Sequence, residues 1–271
     1  MPGMKNVAPW NQDALWPSII SYTRVMKKLF LSAAMIAAAL LPARAGTFSG
    51  IFDGFANKAA QNTIRPFALD LGGLLGADDQ WDGRSLGFPG FDVGAIESFQ
   101  DTPNSNDTIL RAAFGNHPFM GIPMVQAAVG LPFRFDVVAH GMSYDGMTVL
   151  GGGLRYGILR SGTIMKFVPN LGVSVFGDQA SYGAFDATHY AFNVDASFDL
   201  PIIEPFIGAG LDRTSVTVNS VPGVNGDYGP VEGTRYTAGL ELTPFPFTRI
   251  DVAYLSLHGI PGATAKMGFK F

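Results

Sequence analysis

From about Gly90 to Phe271, apolar residues recur at every second position in short runs, and turn residues separate the runs. The segment HYAFNVDASFDL (189–200) is the cleanest. There Tyr190, Phe192, Val194, Ala196, Phe198 and Leu200 alternate with Ala191, Asn193, Asp195, Ser197 and Asp199. A period of two sends successive side chains to opposite faces of an extended chain, so each run predicts a strand with one greasy and one polar face. Ten runs fit: 91–99, 124–130, 133–141, 150–159, 171–177, 189–200, 206–216, 234–243, 249–255 and 263–271. The last sets Ala263, Ala265, Met267, Phe269 and Phe271 against Thr264, Lys266, Gly268 and Lys270. A strand that carries an apolar face to a terminal ring needs a partner strand on its edge and a greasy medium on that face.

A soluble sandwich also alternates, but the polar faces here are rich in glycine and carry both signs of charge, as a packed lumen would. The connectors also alternate. Pro132, PIIEP (201–205) and TPFPF (243–247) are tight, whereas 101–123, 178–186 and 219–233 are long; SYDG (143–146) and HGIPG (258–262) are short exceptions. Short turns at one end and long loops at the other are the plan of a membrane barrel. An even number of strands returns Phe271 to the side on which the first strand began. A closed sheet leaves no unpaired edge in lipid. The reading is an all-β, transmembrane, antiparallel up-and-down β-barrel of about ten strands, with about eight to fourteen open to it, over residues 89–271. Phe133, Phe198, Phe206, Phe247 and Phe269 are expected as an aromatic girdle near the short-turn rim, and Tyr190, Tyr236 and Tyr254 near the other.

The N-terminus carries an address. Lys27 and Lys28 precede an apolar run of 13 residues, Leu29–Leu41, followed by Ala43-Arg44-Ala45. This is the plan of a secretory signal peptide, too short to cross a membrane as a helix. Residues 26–45 are expected to be removed after Ala45. Residues 1–25 lack periodicity and are expected to be a start-site artefact or an extended leader. Residues 46–88 form a separate segment: Phe48, Ile51, Phe52 and Phe55 fall at helical spacing and 66–77 is apolar and glycine-rich. A short helix packed periplasmically, or a plug inside the lumen, are the two placements considered.

Composition narrows the function classes. The chain has 271 residues, of which 34 are glycine and only 15% are charged, against roughly 25% in soluble proteins. Its net charge is −4, so no basic field points to nucleic acid. Without cysteine there is no disulfide, thiolate metal site or cysteine nucleophile.

The ending KMGFKF resembles the C-terminal signature of bacterial outer-membrane barrels. Residues 89–271 also resemble an uncharacterised group of these, through VGLPFRFDV, GGGLRYGIL, VPNLGVSVF and PFIGAGLDR. The resemblance implies a Gram-negative-type outer membrane, lipid around the barrel, and recognition of Phe269 and Phe271 by the barrel-assembly machinery. A plug would be similar to the N-terminal hatch of long-chain fatty-acid transporter barrels.

Parity assigns Arg134, Asp136, Arg155, Asp195, Asp212, Arg235, Glu241, Arg249, Asp251 and Lys266 to the lumen. Carboxylates and bases on neighbouring strands read as ion pairs that satisfy each other in a confined space. His117 and His189 lie in or near loops by this reading. His140 faces inward without a serine nearby, and Ser256 and His258 do not match the order of outer-membrane phospholipases. The glycines of GGG (151–153) read as lumen-side space, since no Gly-Lys-Ser/Thr and helix follow. Neither a catalytic set, a metal site nor a cofactor is expected. About ten strands leave a lumen between one that side chains fill and an aqueous pore. The expected function is a narrow or plugged channel for small, including hydrophobic, solutes. The alternative is a structural or interaction barrel that binds a partner through its outer loops, and a lipid-acting enzyme comes third.

Overall fold

In the computed structural model, the described residues are 52, 54–114, 120–144, 146–161, 168–200 and 202–271. The expected leader 1–25, the signal peptide 26–45 and His117 lie outside them. Ten strands follow in order: β1 (Phe91–Gln100), β2 (Met120–Gly130), β3 (Phe135–Tyr144), β4 (Met147–Leu159), β5 (Asn170–Tyr182), β6 (Phe185–Ser197), β7 (Ile203–Val218), β8 (Gly226–Leu242), β9 (Thr248–Leu257) and β10 (Ile260–Lys270). Each pairs antiparallel with the next, and β1 pairs with β10 from Asp92↔Lys270 to Gln100↔Gly262, closing the barrel. The fold is therefore the closed, ten-stranded, up-and-down barrel that the alternation predicts.

The two ends of the barrel are called here the terminal end, where Gly90 and Phe271 meet, and the loop end, where 101–119 leaves β1. The predicted asymmetry of connectors is only partly present. Segment 178–186 is not a loop: β5 and β6 run on to a tight hairpin at Gly183 and Ala184. Likewise β7 runs on to Val218 and β8 starts at Gly226, which leaves only 219–225 of the segment 219–233 as a turn, with a register shift between Thr214 and Val216. At the terminal end, ten residues of sequence separate Leu159 of β4 from Asn170 of β5.

The reason is an inversion of facing. Across most of the barrel the outward residues are apolar; Val125, Leu150, Ile207 and Leu211 are each at least 60% exposed. Toward the loop end the outward positions become polar (Gln179, Thr188, Arg213), and the inward ones become apolar and buried: Met147, Val149, Ala180, Phe185, Ala187, Val216, Val218, Leu255 and Leu257. The period of two persists while its polarity flips, so a search for one greasy face stops early.

What those inward residues pack on is the N-terminal segment. Helices α1 (Phe55–Lys58) and α2 (Ile64–Gly76) precede the barrel, and α3 (Thr108–Phe114) lies between β1 and β2. Ile64, Phe67, Leu71, Leu74 and Leu75 of α2 are buried in one cluster with Ile109 and Leu110 of α3 and the inward residues above. Phe52, Phe55 and Phe67 surround Phe185 of β6 at centroid distances of 4.9–5.2 Å. Burying a side chain of this size contributes about 1.5–3 kcal/mol, so the cluster is a core in its own right. Of the two expected placements for 46–88, the described part takes the lumen. The loop end of the barrel is filled as a soluble domain is filled.

Glycine lets the helix reach the wall. A Cβ on Gly72 would lie 2.0 Å from Thr214 Oγ1, and one on Gly76 would lie 1.6 Å from Arg235 Nη1. The spacing of four puts both on one helix face, and that face lies against β7 and β8.

Candidate functional site

Below α2 the chain runs down the lumen from Ala77 to Leu86, and the barrel wall supplies a partner at nearly every step. The first tier lies at the C-terminal end of α2. Asp78 accepts a hydrogen bond from Ser98 of β1. Asp79 is fully buried, and neither of its carboxylate oxygens has a hydrogen-bond partner among the described residues. Around it runs a chain of imidazoles and carboxylates. His140 Nε2 lies 2.6 Å from Asp178 Oδ1, and His189 Nδ1 lies 2.7 Å from Asp178 Oδ2. His189 Nε2 is 3.4 Å from Asp212 Oδ1, which is also 3.2 Å from Arg235 Nη1. His258 Nε2 stands 2.9 Å from Asp212 Oδ2, while its Nδ1 stands 2.8 Å from the Leu69 carbonyl of α2. Gly151 makes room for this tier, because a Cβ there would lie 1.8 Å from Asp178 Oδ1 and 2.2 Å from His140 Nε2.

The second tier centres on Trp81. The Arg155 guanidinium lies 5.3 Å from its ring centroid and 5.6 Å from that of Phe176, a geometry in which a desolvated cation is drawn to ring faces. Gly172 leaves space for the indole.

The third tier is ionic. Lys270 Nζ bridges Asp82 at 2.8 Å and Glu241 at 3.2 Å. Arg84 reaches Glu204 at 3.0 Å, Asp199 at 3.4 Å and Asp82 at 3.7 Å. Arg249 pairs with Asp92 at 2.5 Å and Asp251 at 3.3 Å. The segment leaves the lumen where Ser85 Oγ and the Leu86 amide each donate to Asp136 at 3.0 Å.

Of the residues assigned inward by parity, Asp136, Arg155, Asp195, Asp212, Arg235, Glu241, Arg249 and Lys266 are buried and Asp251 nearly so. Arg134 is a correction. It precedes β3 in a 3-10 turn with φ 67°, is exposed, and donates from Nη1 to the Ile158 carbonyl at 3.0 Å on the rim. The turn breaks the alternation, so parity does not carry back to it. Phe206 is a second correction: it is buried and faces inward, against the space left by Gly239, rather than joining the girdle. His189 is not in a loop but within β6, at the parity of Asn193 and Asp195. Asp178 is missed for the related reason that it was read as loop. Both become legible once the alternation is extended through a polarity flip. Asp79, Asp82 and Arg84 carry no periodic signal; only the placement of their segment in the lumen brings them to the wall.

No family model and no curated relative matches the sequence. Among solved structures, the chain is similar to the attachment invasion locus protein Ail of Yersinia pestis, at 12% identity, covering 67% of this chain and 97% of that one with a TM-score of 0.31. It is similar to the N-terminal β-barrel domain of Pseudomonas aeruginosa OprF at 15% identity, over 66% and 97% of the two chains, with a TM-score of 0.31. It is also similar to the translocator domain of the autotransporter NalP from Neisseria meningitidis at 8% identity, over 83% and 98%, with a TM-score of 0.35. These likenesses concern the barrel architecture alone. Closure, outward apolar belt and polar lumen make the chain a β-barrel of the outer-membrane type.

Proposed function

We propose that the protein is a closed outer-membrane barrel that acts through the face at its loop end rather than as an open pore. The observation that carries this reading is the packing of α2, sealed into the lumen by the same kind of apolar core that holds a soluble domain together. The outward belt, from the apolar residues near the terminal end to Tyr190, Tyr236 and Tyr254, matches a lipid-facing surface edged by aromatic residues. Beyond it the sheet continues as a polar-surfaced crown around α1, α2 and α3. Such a crown stands clear of the bilayer and presents the 219–225 turn and the exposed Ser105 and Asn106 outward, a rigid platform for a partner. The reading includes export by the signal peptide, assembly through Phe269 and Phe271, and no catalytic step.

A gated channel for small solutes is the second reading. What favours it is the difference in how the plug is held. Residues 77–90 are fixed by ion pairs and hydrogen bonds, which water or a charged partner can replace, whereas α2 is fixed by apolar contact. Planar-bilayer recording separates the two. A platform gives no stepwise conductance in the intact protein, nor after Arg84→Ala loosens the lower plug. Conductance steps in the variant alone support the gate, and stable steps in the intact protein overturn the closed reading.

A further inference from the structure

Among the described residues, two groups of side chains in the lumen are spaced to hold a metal ion: Asp79 with His140 and Asp178, and Asp82 with Glu204 and Glu241. The protein itself supplies the cations for the second, through Lys270 and Arg84. It does not do so for the first. Arg235 is the fixed cation in ion-pair contact with this tier among the described residues, and it is taken up by Asp212 at 3.2 Å. Asp79 has two fully buried oxygens without a donor, and His140 has a buried, unpartnered Nδ1. The C-terminus of α2, which carries partial negative charge, ends three residues before Asp79. Ionised carboxylates placed against a helix C-terminus in a dry lumen are costly unless a proton or a metal cation joins them.

We propose that Asp79, His140 and Asp178 bind a divalent transition-metal cation of the zinc class, which fastens the plug to the barrel wall. One ligand atom from each residue lies within 4.8 Å of the others. Small rotations bring such a set to the roughly 2.0–2.2 Å bonds that zinc makes to imidazole nitrogen and carboxylate oxygen. Imidazole with carboxylates suits zinc and its first-row neighbours better than calcium or magnesium. The wall already holds the ligands in place. Asp178 is gripped by His189, whose other nitrogen faces Asp212, and Asp212 is in turn held by Arg235 and His258. A hydrogen-bonded partner behind a ligating carboxylate, as His189 is behind Asp178, is the usual outer support of a metal ligand. Asp79 is the one ligand that comes from the plug, so the ion would join two parts of the chain otherwise distant in sequence.

The test is to refold the protein into detergent with zinc chloride, remove free metal, and count zinc by mass spectrometry beside X-ray absorption at the zinc edge. About one zinc per chain is expected, with an absorption signature of mixed imidazole and oxygen ligands. Asp79→Asn should keep the heat-modifiable mobility of a folded barrel and lose the zinc. Should that variant fail to fold, His140→Gln takes its place, and the absorption spectrum of the unaltered protein decides independently. The proposal is overturned if the folded protein retains no zinc, if Asp79→Asn retains it undiminished, or if the spectrum lacks imidazole.

Discussion

The ring of Phe271 stacks on that of Phe91 at a centroid distance of 4.6 Å, and the two residues exchange backbone hydrogen bonds of 2.8 and 3.0 Å. This is the seam of the barrel, and Phe247 extends the stack on the far side of Phe271 at 4.9 Å. Aromatic pairs contribute about 0.5–1.5 kcal/mol each beyond the area they bury. Phe271→Ala should therefore weaken closure by about 1–3 kcal/mol and lower the folded fraction on a cold gel. Phe133→Ala removes a ring that is 87% exposed at the same end, and it should leave that fraction nearly unchanged.

Lys270, next along the same strand, is not a bystander of the seam. From its position at the terminal rim it would pass for a replaceable surface lysine, but its amine bridges two buried carboxylates from the plug and from β8. Removing one partner of a buried pair typically costs roughly 3–5 kcal/mol. Lys270→Met should approach the lower end of that range in denaturant refolding. It should also speed hydrogen exchange in residues 81–86, which a purely local rim effect would not do.

Val194 and Asn193 are adjacent and face opposite sides of β6. Val194 lies in the apolar belt, where arginine costs about 2–4 kcal/mol. Asn193 is buried, donates to Ser174 at 3.1 Å and accepts from Arg235. A filled lumen leaves no room for arginine at 193, and Arg235 would repel it, so the informative change there is to a carboxylate. Asn193→Asp should refold into lipid within about 1 kcal/mol of the parent, since an aspartate accepts the same guanidinium hydrogen bond with added charge, while Val194→Arg should lose most of its folded fraction. The reverse order would invert the facing of the strand.

The loop that leaves β1 is tied to the plug by a carboxyl pair. Asp107 caps α3 by accepting from the amides of Ile109 and Leu110 at 3.0 and 2.9 Å, and Asp70 of α2 accepts from the Asn104 amide at 2.7 Å. Both carboxyls are buried, and a charge on Asp70 makes Asp107 harder still to ionise. Burial pushes Asp70 up to about 6 and Asp107 up to about 7. Because both values are raised above the ordinary carboxyl range near 4, the tether is fully present below about pH 4 and is lost as pH rises through 6 to 7. Amide exchange at Ile109 and Leu110, corrected for its intrinsic rate, should therefore accelerate on the order of tenfold between about pH 5 and pH 8. Asp107→Asn keeps the cap and should flatten that dependence.

The strand count, their order and the facing of most side chains could be read from the sequence, because a period of two is a strong and local signal. Asp195, Arg235 and Lys266 are placed by it directly. It fails where the physics changes along a strand. The crown of β5 to β8 keeps the period but exchanges its greasy and polar faces, so Asp178 and His189 pass for loop residues. Arg134 is lost because two positive-φ residues in succession break the alternation. The plug leaves almost no local trace. Helical spacing is readable over 48–55, but the long helix α2 falls in a stretch that reads only as apolar and glycine-rich, and its place within the barrel depends on contacts far along the chain, such as Phe67 with Phe185 and Leu69 with His258. Gly72 and Gly76 are the nearest thing to a signal, since glycine at helical spacing marks a close approach whose partner the sequence does not name.

The seam between β1 and β10 has a consequence for the order in which the molecule is built. Residues 64–84 lie inside a cylinder whose two joining edges are the first and last strands, and the His258 imidazole meets the Leu69 carbonyl across 189 residues of chain. A helix with Phe67, Leu74 and Leu75 fully buried packs on several strands at once. We expect it to be in position while the sheet is still an open ribbon, so that the strands curl over it until Phe271 reaches Phe91. The N-terminal segment is in this sense the mandrel on which the barrel is wound. The charges of its lower half would meet their partners strand by strand as water is expelled, with Lys270 on the closing strand the last to arrive.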